Sequence, residues 1–170
     1  ITYNSICDTN VTITIDEPNQ LTFTTTTTDV TCFGGSDGAA TVNIISGGNP
    51  PFSFLWTSGH TTATASGLVP GTYTCTVTYN SICDTNVTIT IDEPDQLIFT
   101  TTTTDATCFG GSDGSATVNI ISGGNQPFSF LWTSGHTTAT ASGLSAGTYT
   151  CTITYNSICD TNVTITIDEP

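Results

Sequence analysis

"GTYTCTVTYNSICDTNVTITID" spans residues 71–92 and decides how the rest of the chain is read. In its first half, Tyr73, Cys75, Val77 and Tyr79 alternate with Thr72, Thr74, Thr76 and Thr78. Successive side chains of a strand point to opposite faces, so this period of two describes a strand with one buried and one wet face. "NVTITID" repeats the pattern with Val87, Ile89 and Ile91. The polar stretch "NSICDT" between the two runs makes them a hairpin.

Upstream, "LTFTTTTT", "AATVNII", "FSFLWT" and "TTATAS" carry similar β-rich composition, separated by "GGSDG", "SGGNPP", "SGH" and "GLVPG". Each separator contains Gly, which accepts the backbone angles that turns require. No segment has a helical period. The expected fold class is therefore all-β, an immunoglobulin-like β-sandwich of six or seven short strands. Core candidates are Trp56, Phe52, Phe54, Leu55, Tyr73, Val77 and Ile89, with Trp132 and Tyr149 in the second copy described next.

Residues 19–94 recur without a gap as 95–170, an offset of 95 − 19 = 76 positions. The copies differ at Asn19/Asp95, Thr22/Ile98, Val30/Ala106, Ala39/Ser115, Pro50/Gln126, Val69/Ser145, Pro70/Ala146 and Val77/Ile153. "TYNSICDTNVTITIDEP" also stands at 2–18, which reads as the tail of a preceding repeat. The expected organisation is thus a tail at 1–18 and sandwiches at 19–94 and 95–170, a section of a longer tandem array. Arrays serve mechanical or multivalent roles more readily than catalytic ones.

The chain has no Lys or Arg, 14 Asp or Glu, and a formal net charge of −14. Such a surface repels nucleic acid and anionic lipid, and it forms no Lys or Arg salt bridge. No apolar run is long enough to span a bilayer in this window, and no basic-then-apolar leader is present. Cysteines recur singly, at Cys7, at Cys32, Cys75 and Cys83, and at Cys108, Cys151 and Cys159. That spacing is not the paired pattern of zinc or redox sites, and in a small Thr-rich domain it fits an oxidising, extracellular setting.

The acidic residues are the candidates for a cofactor, calcium. Asp92, Glu93 and Asp95 cluster at the junction of the repeats, and Asp37 and Asp84 sit in turns that could face it. Calcium takes several carboxylate and carbonyl oxygens, which a junction of two domains is able to gather. The plainer reading is that these are solvated turn residues. Ser58 and His60 in "TSGHTTAT" suggest a nucleophile and base, but the pair lies in a turn without the other groups that catalysis needs. Rows of Thr-x-Thr suggest ice binding or O-linked sugars, yet Thr suits any exposed strand face. "NVT" at Asn10, Asn86 and Asn162 matches the N-glycosylation pattern.

The ordered landmarks "TCFGG" at 107–111, "GGNQPF" at 123–128, "GLSAGTYTCT" at 143–152, Cys159 and the closing "VTITIDEP" resemble the SprB-type repeat of large surface proteins of gliding Bacteroidetes. The likeness extends over essentially the whole of each repeat. It implies a cell-surface adhesin, exported by the type IX system and moved along the cell in gliding. It departs at Cys75 and Cys151, where the family usually has a Val-like residue, and at "NSIC", which replaces the family's Asp-x-x-Gly-Cys. Implied partners are a substratum, a polysaccharide, neighbouring fibre chains and further repeats of the same chain. A passive stalk and a carbohydrate-binding module are the competing classes; the latter predicts an exposed aromatic platform.

Strand counting leaves three partners for Cys32, namely Cys83, Cys75 and Cys159. Cys75 and Cys83 are too far apart along their hairpin to bond each other. With six alternating strands the first and last turns share one end and Cys32 meets Cys83; with seven they lie at opposite ends. A count of six, together with the family's two-cysteine pattern, makes Cys32–Cys83 and Cys108–Cys159 the expected bonds, with Cys75 and Cys151 as buried thiols.

Overall fold

The computed structural model describes residues 12–17 and 19–170. The expected tail at 1–18 therefore lies mostly outside the described residues. The remainder forms two six-stranded sandwiches. The first comprises β1 (Thr22–Thr28), β2 (Gly38–Ser46), β3 (Ser53–Trp56), β4 (Thr64–Leu68), β5 (Gly71–Tyr79) and β6 (Cys83–Ile91). The second comprises β7 (Ile98–Thr104), β8 (Gly114–Ser122), β9 (Ser129–Trp132), β10 (Thr140–Leu144), β11 (Gly147–Tyr155) and β12 (Cys159–Ile167). One sheet of the first sandwich has the order β1-β2-β4 and the other β3-β5-β6; the second sandwich repeats both. All pairings are antiparallel.

The alternation in residues 71–92 becomes the β5–β6 hairpin, in register from Gly71↔Ile91 to Tyr79↔Cys83. Cys75, Val77, Val87, Ile89 and Ile91 are buried, and the Thr residues between them face outward. From the opposite sheet Ala40, Val42, Ala65 and Leu68 complete the core around Trp56. Burying polar atoms inside such a core requires hydrogen bonds, and they are present. The Trp56 indole N–H donates to the Thr62 carbonyl at 2.8 Å, and at the exposed margin the Tyr73 hydroxyl donates to the Val69 carbonyl at 2.9 Å. Phe52, Phe54 and Tyr73 are half-buried at the margin of the core. Leu55, expected inside, is 59% exposed. It sits between Phe54 and Trp56 on a strand, so the same alternation that buries its neighbours turns it outward.

The decisive feature is the link between β3 and β4. β3 pairs with the half of β5 near the hairpin, from Ser53↔Thr78 to Trp56↔Cys75. β4 pairs with the opposite half of the other sheet, from Thr64↔Thr41 to Leu68↔Gly38. The chain thus climbs half-way in one sheet, crosses at residues 57–63, and finishes the climb in the other. Two strands make one traverse, so six strands give five traverses of the sandwich. Because that number is odd, the β1–β2 turn and the β5–β6 turn lie at opposite ends. The chain likewise enters each sandwich at one end and leaves at the other.

The hydrogen bonds at the two ends agree with this. Val30 N–H donates to the Asp92 carbonyl at 3.1 Å, joining the β1–β2 turn to the exit of the repeat. At the other end Asn49 and Asn80 bond reciprocally, joining the β2–β3 turn to the hairpin. There Gly47 has φ +77°, and a Cβ on it would stand 1.9 Å from the Gln20 carbonyl oxygen. Only glycine lets the incoming chain pass so closely.

Candidate functional site

Among the described residues, the joint between the repeats brings together carboxylates, an asparagine amide and a disulfide. Its first half is the β1–β2 turn, residues 29–37. Asp37 accepts hydrogen bonds from the Thr31 N–H at 3.0 Å and from the Thr31 hydroxyl. Those bonds favour the ionised form and hold the Asp37 carboxyl below its ordinary pKa. Glu93 Oε2 accepts from Gly34 N–H at 2.7 Å, and Asp29 Oδ1 accepts from Asp92 N–H at 2.9 Å. The turn is thereby fastened to the last residues of its own repeat. Asp113, Glu169 and Asp105 do the same in the second repeat.

The other half is the β11–β12 hairpin turn of the second repeat. Asn156 and Ser157 both have positive φ, 50° and 65°. A tight turn of this hand matches the twist of the flanking strands. It aims the Asn156 side chain at the first repeat, where Nδ2 donates to the Thr31 carbonyl at 3.0 Å. Beside it a disulfide joins Cys32 to Cys159, with Cα atoms 5.6 Å apart. Tyr155 and Cys159 are 5% and 2% exposed at this contact, whereas their counterparts Tyr79 and Cys83 in the first repeat are half-exposed.

This bond overturns the expected pairing. Cys32 does not meet Cys83, nor Cys108 meet Cys159, because the shared traverse of β3 and β4 sets the two turns of one repeat at opposite ends. The last turn of the second repeat instead faces the first turn of the repeat before it. Cys83 and Cys108 are free, one half-exposed and the other exposed. Cys75 and Cys151 are fully buried thiols, and burial pushes their pKa values up.

The five candidate calcium ligands are not brought together. Asp37, Asp92 and Glu93 lie at the exit end of the first repeat, and the first and last of these bind protein N–H groups. Asp84 pairs opposite Thr78 at the other end. Asp95 contributes its carbonyl, which accepts from Gly124 N–H at 3.1 Å. Among the described residues no three His, Cys, Asp or Glu side chains form a group able to hold a metal ion. Ser58 Oγ and His60 Nδ1 are 3.0 Å apart in the crossover between the sheets. The His60 carbonyl meanwhile accepts from Trp56 N–H, which explains the residue as part of that turn.

Sequence reasoning missed Thr31, Tyr155 and Asn156 as joint residues. The available signal was Asn-Ser at the hairpin tip, a pair suited to positive φ, two residues before a cysteine.

Among curated proteins no relative matches the chain. Among solved structures the chain resembles the crystal structure of the S-layer protein SbsC domains 4 and 5, with 16% sequence identity and a TM-score of 0.23. That match covers 74% of this chain and 85% of the other. The family model for the SprB repeat matches at residues 24–61 and 100–137, each time from the first strand through the β1–β2 turn to the crossover. The family model thus matches once in each sandwich.

Proposed function

We propose that this protein is a section of an extracellular surface fibre whose repeats give multivalent attachment. The observation that carries this reading is the joint: each repeat is entered at one end and left at the other, and Cys32–Cys159 clamps consecutive repeats across the interface. Such a joint transmits load along the chain and keeps the repeats in a fixed orientation. A disulfide also fits an oxidising location outside the cell. Repeats that each bind weakly gain avidity when linked, provided they reach the surface together. A bacterial cell-surface location, type IX export and a part in gliding follow from the SprB family and belong to the same proposal. The SprB repeat is a structural repeat, and the role proposed is not enzymatic.

A passive stalk is the second reading, and a specific observation favours it over a sugar-binding module. Trp56 and Trp132 are both 2% exposed, so neither offers a stacking platform. Adhesion of the purified array to glass and to polysaccharide-coated beads, compared with an unrelated protein of equal negative charge, separates the readings. Stronger retention of longer arrays supports the adhesive fibre. Retention equal to the control at every length supports the stalk.

A further inference from the structure

Cys32 and Cys159 are 127 positions apart in the chain, whereas the repeat is 95 − 19 = 76 positions long. One covalent bond therefore encloses β2 to β11, the greater part of both sandwiches, and leaves only β1 and β12 outside. Tension applied to the two ends of the chain has a short covalent route. It runs from residue 1 to Cys32, crosses the two sulfur atoms to Cys159, and continues to residue 170. Residues 33–158 hang beside that line, and once their noncovalent contacts give way they bear none of the load.

A bond longer than the repeat has a second consequence in a tandem array. Repeated at every joint, such bonds overlap, because each new loop opens 127 − 76 = 51 positions before the previous one closes. Every interior core then lies inside at least one loop. The shortest route alternates a disulfide with the stretch from a hairpin cysteine to the next turn cysteine, which in this chain is Cys83 to Cys108, or 108 − 83 = 25 positions. β6 and β7 supply nine and seven residues of that stretch. They follow one another in the same direction, each from the entry end of its sandwich to the exit end. A strand rises about 3.2–3.4 Å per residue, against a limit of about 3.3–3.6 Å for a fully drawn chain, so most of this stretch has little length left to give.

We propose that the joint disulfide gives the fibre a further function, that of a strain-limited tether: tension is carried along a covalent line that bypasses the folded cores, and the fibre keeps its length under load even where a sandwich melts. For every two repeats, 2 × 76 = 152 residues, that line contains 25 residues and one disulfide, so it releases about one-sixth of the length an unbridged chain would. Bonds inside each repeat, Cys32 to Cys83 and Cys108 to Cys159, would leave 25 residues in line for every single repeat and double the slack. The stagger across the joint, beyond the mere presence of a bridge, produces the effect.

The inference rests on the fibre reading, and its test separates the two. The full chain, held by peptide tags at its two termini, is stretched in magnetic tweezers until both sandwiches are unfolded. Oxidised, it should extend only through residues 1–32 and 159–170, to about 150 Å. In dithiothreitol, or as Cys32→Ser, it should reach about fourfold that length, about 600 Å. Extended length is read whether or not the variant folds. A tandem chain with two further copies of residues 95–170 should gain about 90 Å when oxidised and about 530 Å when reduced. An oxidised length equal to the reduced one, an oxidised length of about 230 Å as bonds inside each repeat would give, or an oxidised gain of about 530 Å in the longer chain would overturn the tether and leave multivalent attachment standing. Short oxidised lengths in an array retained on glass and polysaccharide no better than its charge-matched control would overturn attachment alone.

Discussion

The β1–β2 turn occurs twice with one sequence from Thr31 to Gly38 and from Thr107 to Gly114, once covered by a neighbouring repeat and once open. Covering changes little inside it. Gly34 N–H meets Glu93 as Gly110 N–H meets Glu169, and Asp37 holds Thr31 as Asp113 holds Thr107. The differences lie at the outer surface, in the bonded Cys32, in Phe33, 43% exposed against 83% for Phe109, and in the occupied Thr31 carbonyl. A surface shaped by its own repeat need not be ordered by its partner, which reduces the entropic cost of docking. The joint is therefore an encounter of two preformed parts, and the stability of each part belongs to its own core.

The hardest test of that division is Trp56→Ala. Emptying a site this large costs about 3–5 kcal/mol, near the whole stability of a small domain. The first repeat should unfold while the second stays folded. Amide exchange reads the outcome residue by residue: Gly34 loses protection and Gly110 keeps it. Equal loss at both amides would mean that the joint, and not the separate cores, holds the array together.

Much of this architecture could be read from the letters, and the failures have a physical cause. The alternation in Tyr73–Cys75–Val77 and Val87–Ile89–Ile91 specifies strands and faces locally, and those faces are where the sequence puts them. The count of six strands was also available. What no local pattern carries is which strand pairs with which. β3 and β4 are short, four and five residues, and only their registers against β5 and β2 reveal that they share a single traverse. That non-local fact reverses the end at which Cys83 lies, and with it the disulfide. The carboxylates misled for a related reason. Asp37 and Glu93 looked like ion ligands because their N–H partners at Thr31 and Gly34 belong to a turn whose geometry the letters do not spell out.

Cys32→Ser acts on the covered turn alone and has the next largest effect. Cross-links of this kind typically contribute about 2–4 kcal/mol. The variant should keep two folded repeats and the Gly34–Glu93 hydrogen bond, so exchange at Gly34 stays slow. Only the orientation between repeats is released, which broadens the distance distribution from small-angle scattering. A scattering curve unchanged from the parent would show that Asn156 and the apolar contacts fix the joint unaided.

A smaller effect comes from Asp37 and Asp113, the same residue in the covered and open turns. Both carboxyls have folded-state pKa values below the ordinary value, chiefly through the Thr31 and Thr107 side chains and then their backbone N–H groups. A depressed folded pKa contributes stability that is fully present above the unfolded value, about 3.9, and is lost as pH falls through the folded value. Asp37→Asn and Asp113→Asn should therefore each destabilise at neutral pH, and the gap to the parent should close in acid below about pH 4. Equal losses are expected, since both turns make the same bonds. A greater loss for Asp37 in urea melts would show that docking strengthens the turn it covers.

The least effect is expected from calcium. With a net charge of −14 and no basic residue, any cation reduces self-repulsion, and a divalent ion does so at lower concentration. Site binding asks for more, because several oxygens must converge on one point. Asp37 and Glu93 already accept from turn N–H groups, and Asp84 lies at the far end of the sandwich from both. An ion at the joint would have to compete with those hydrogen bonds in the covered turn and the open turn alike. Melting temperatures in calcium and in sodium at matched ionic strength should then coincide. A higher value in calcium that is abolished by Glu93→Gln, but unaffected by Glu169→Gln, would place an ion at the covered turn and make docking, after all, a change in chemistry as well as in exposure.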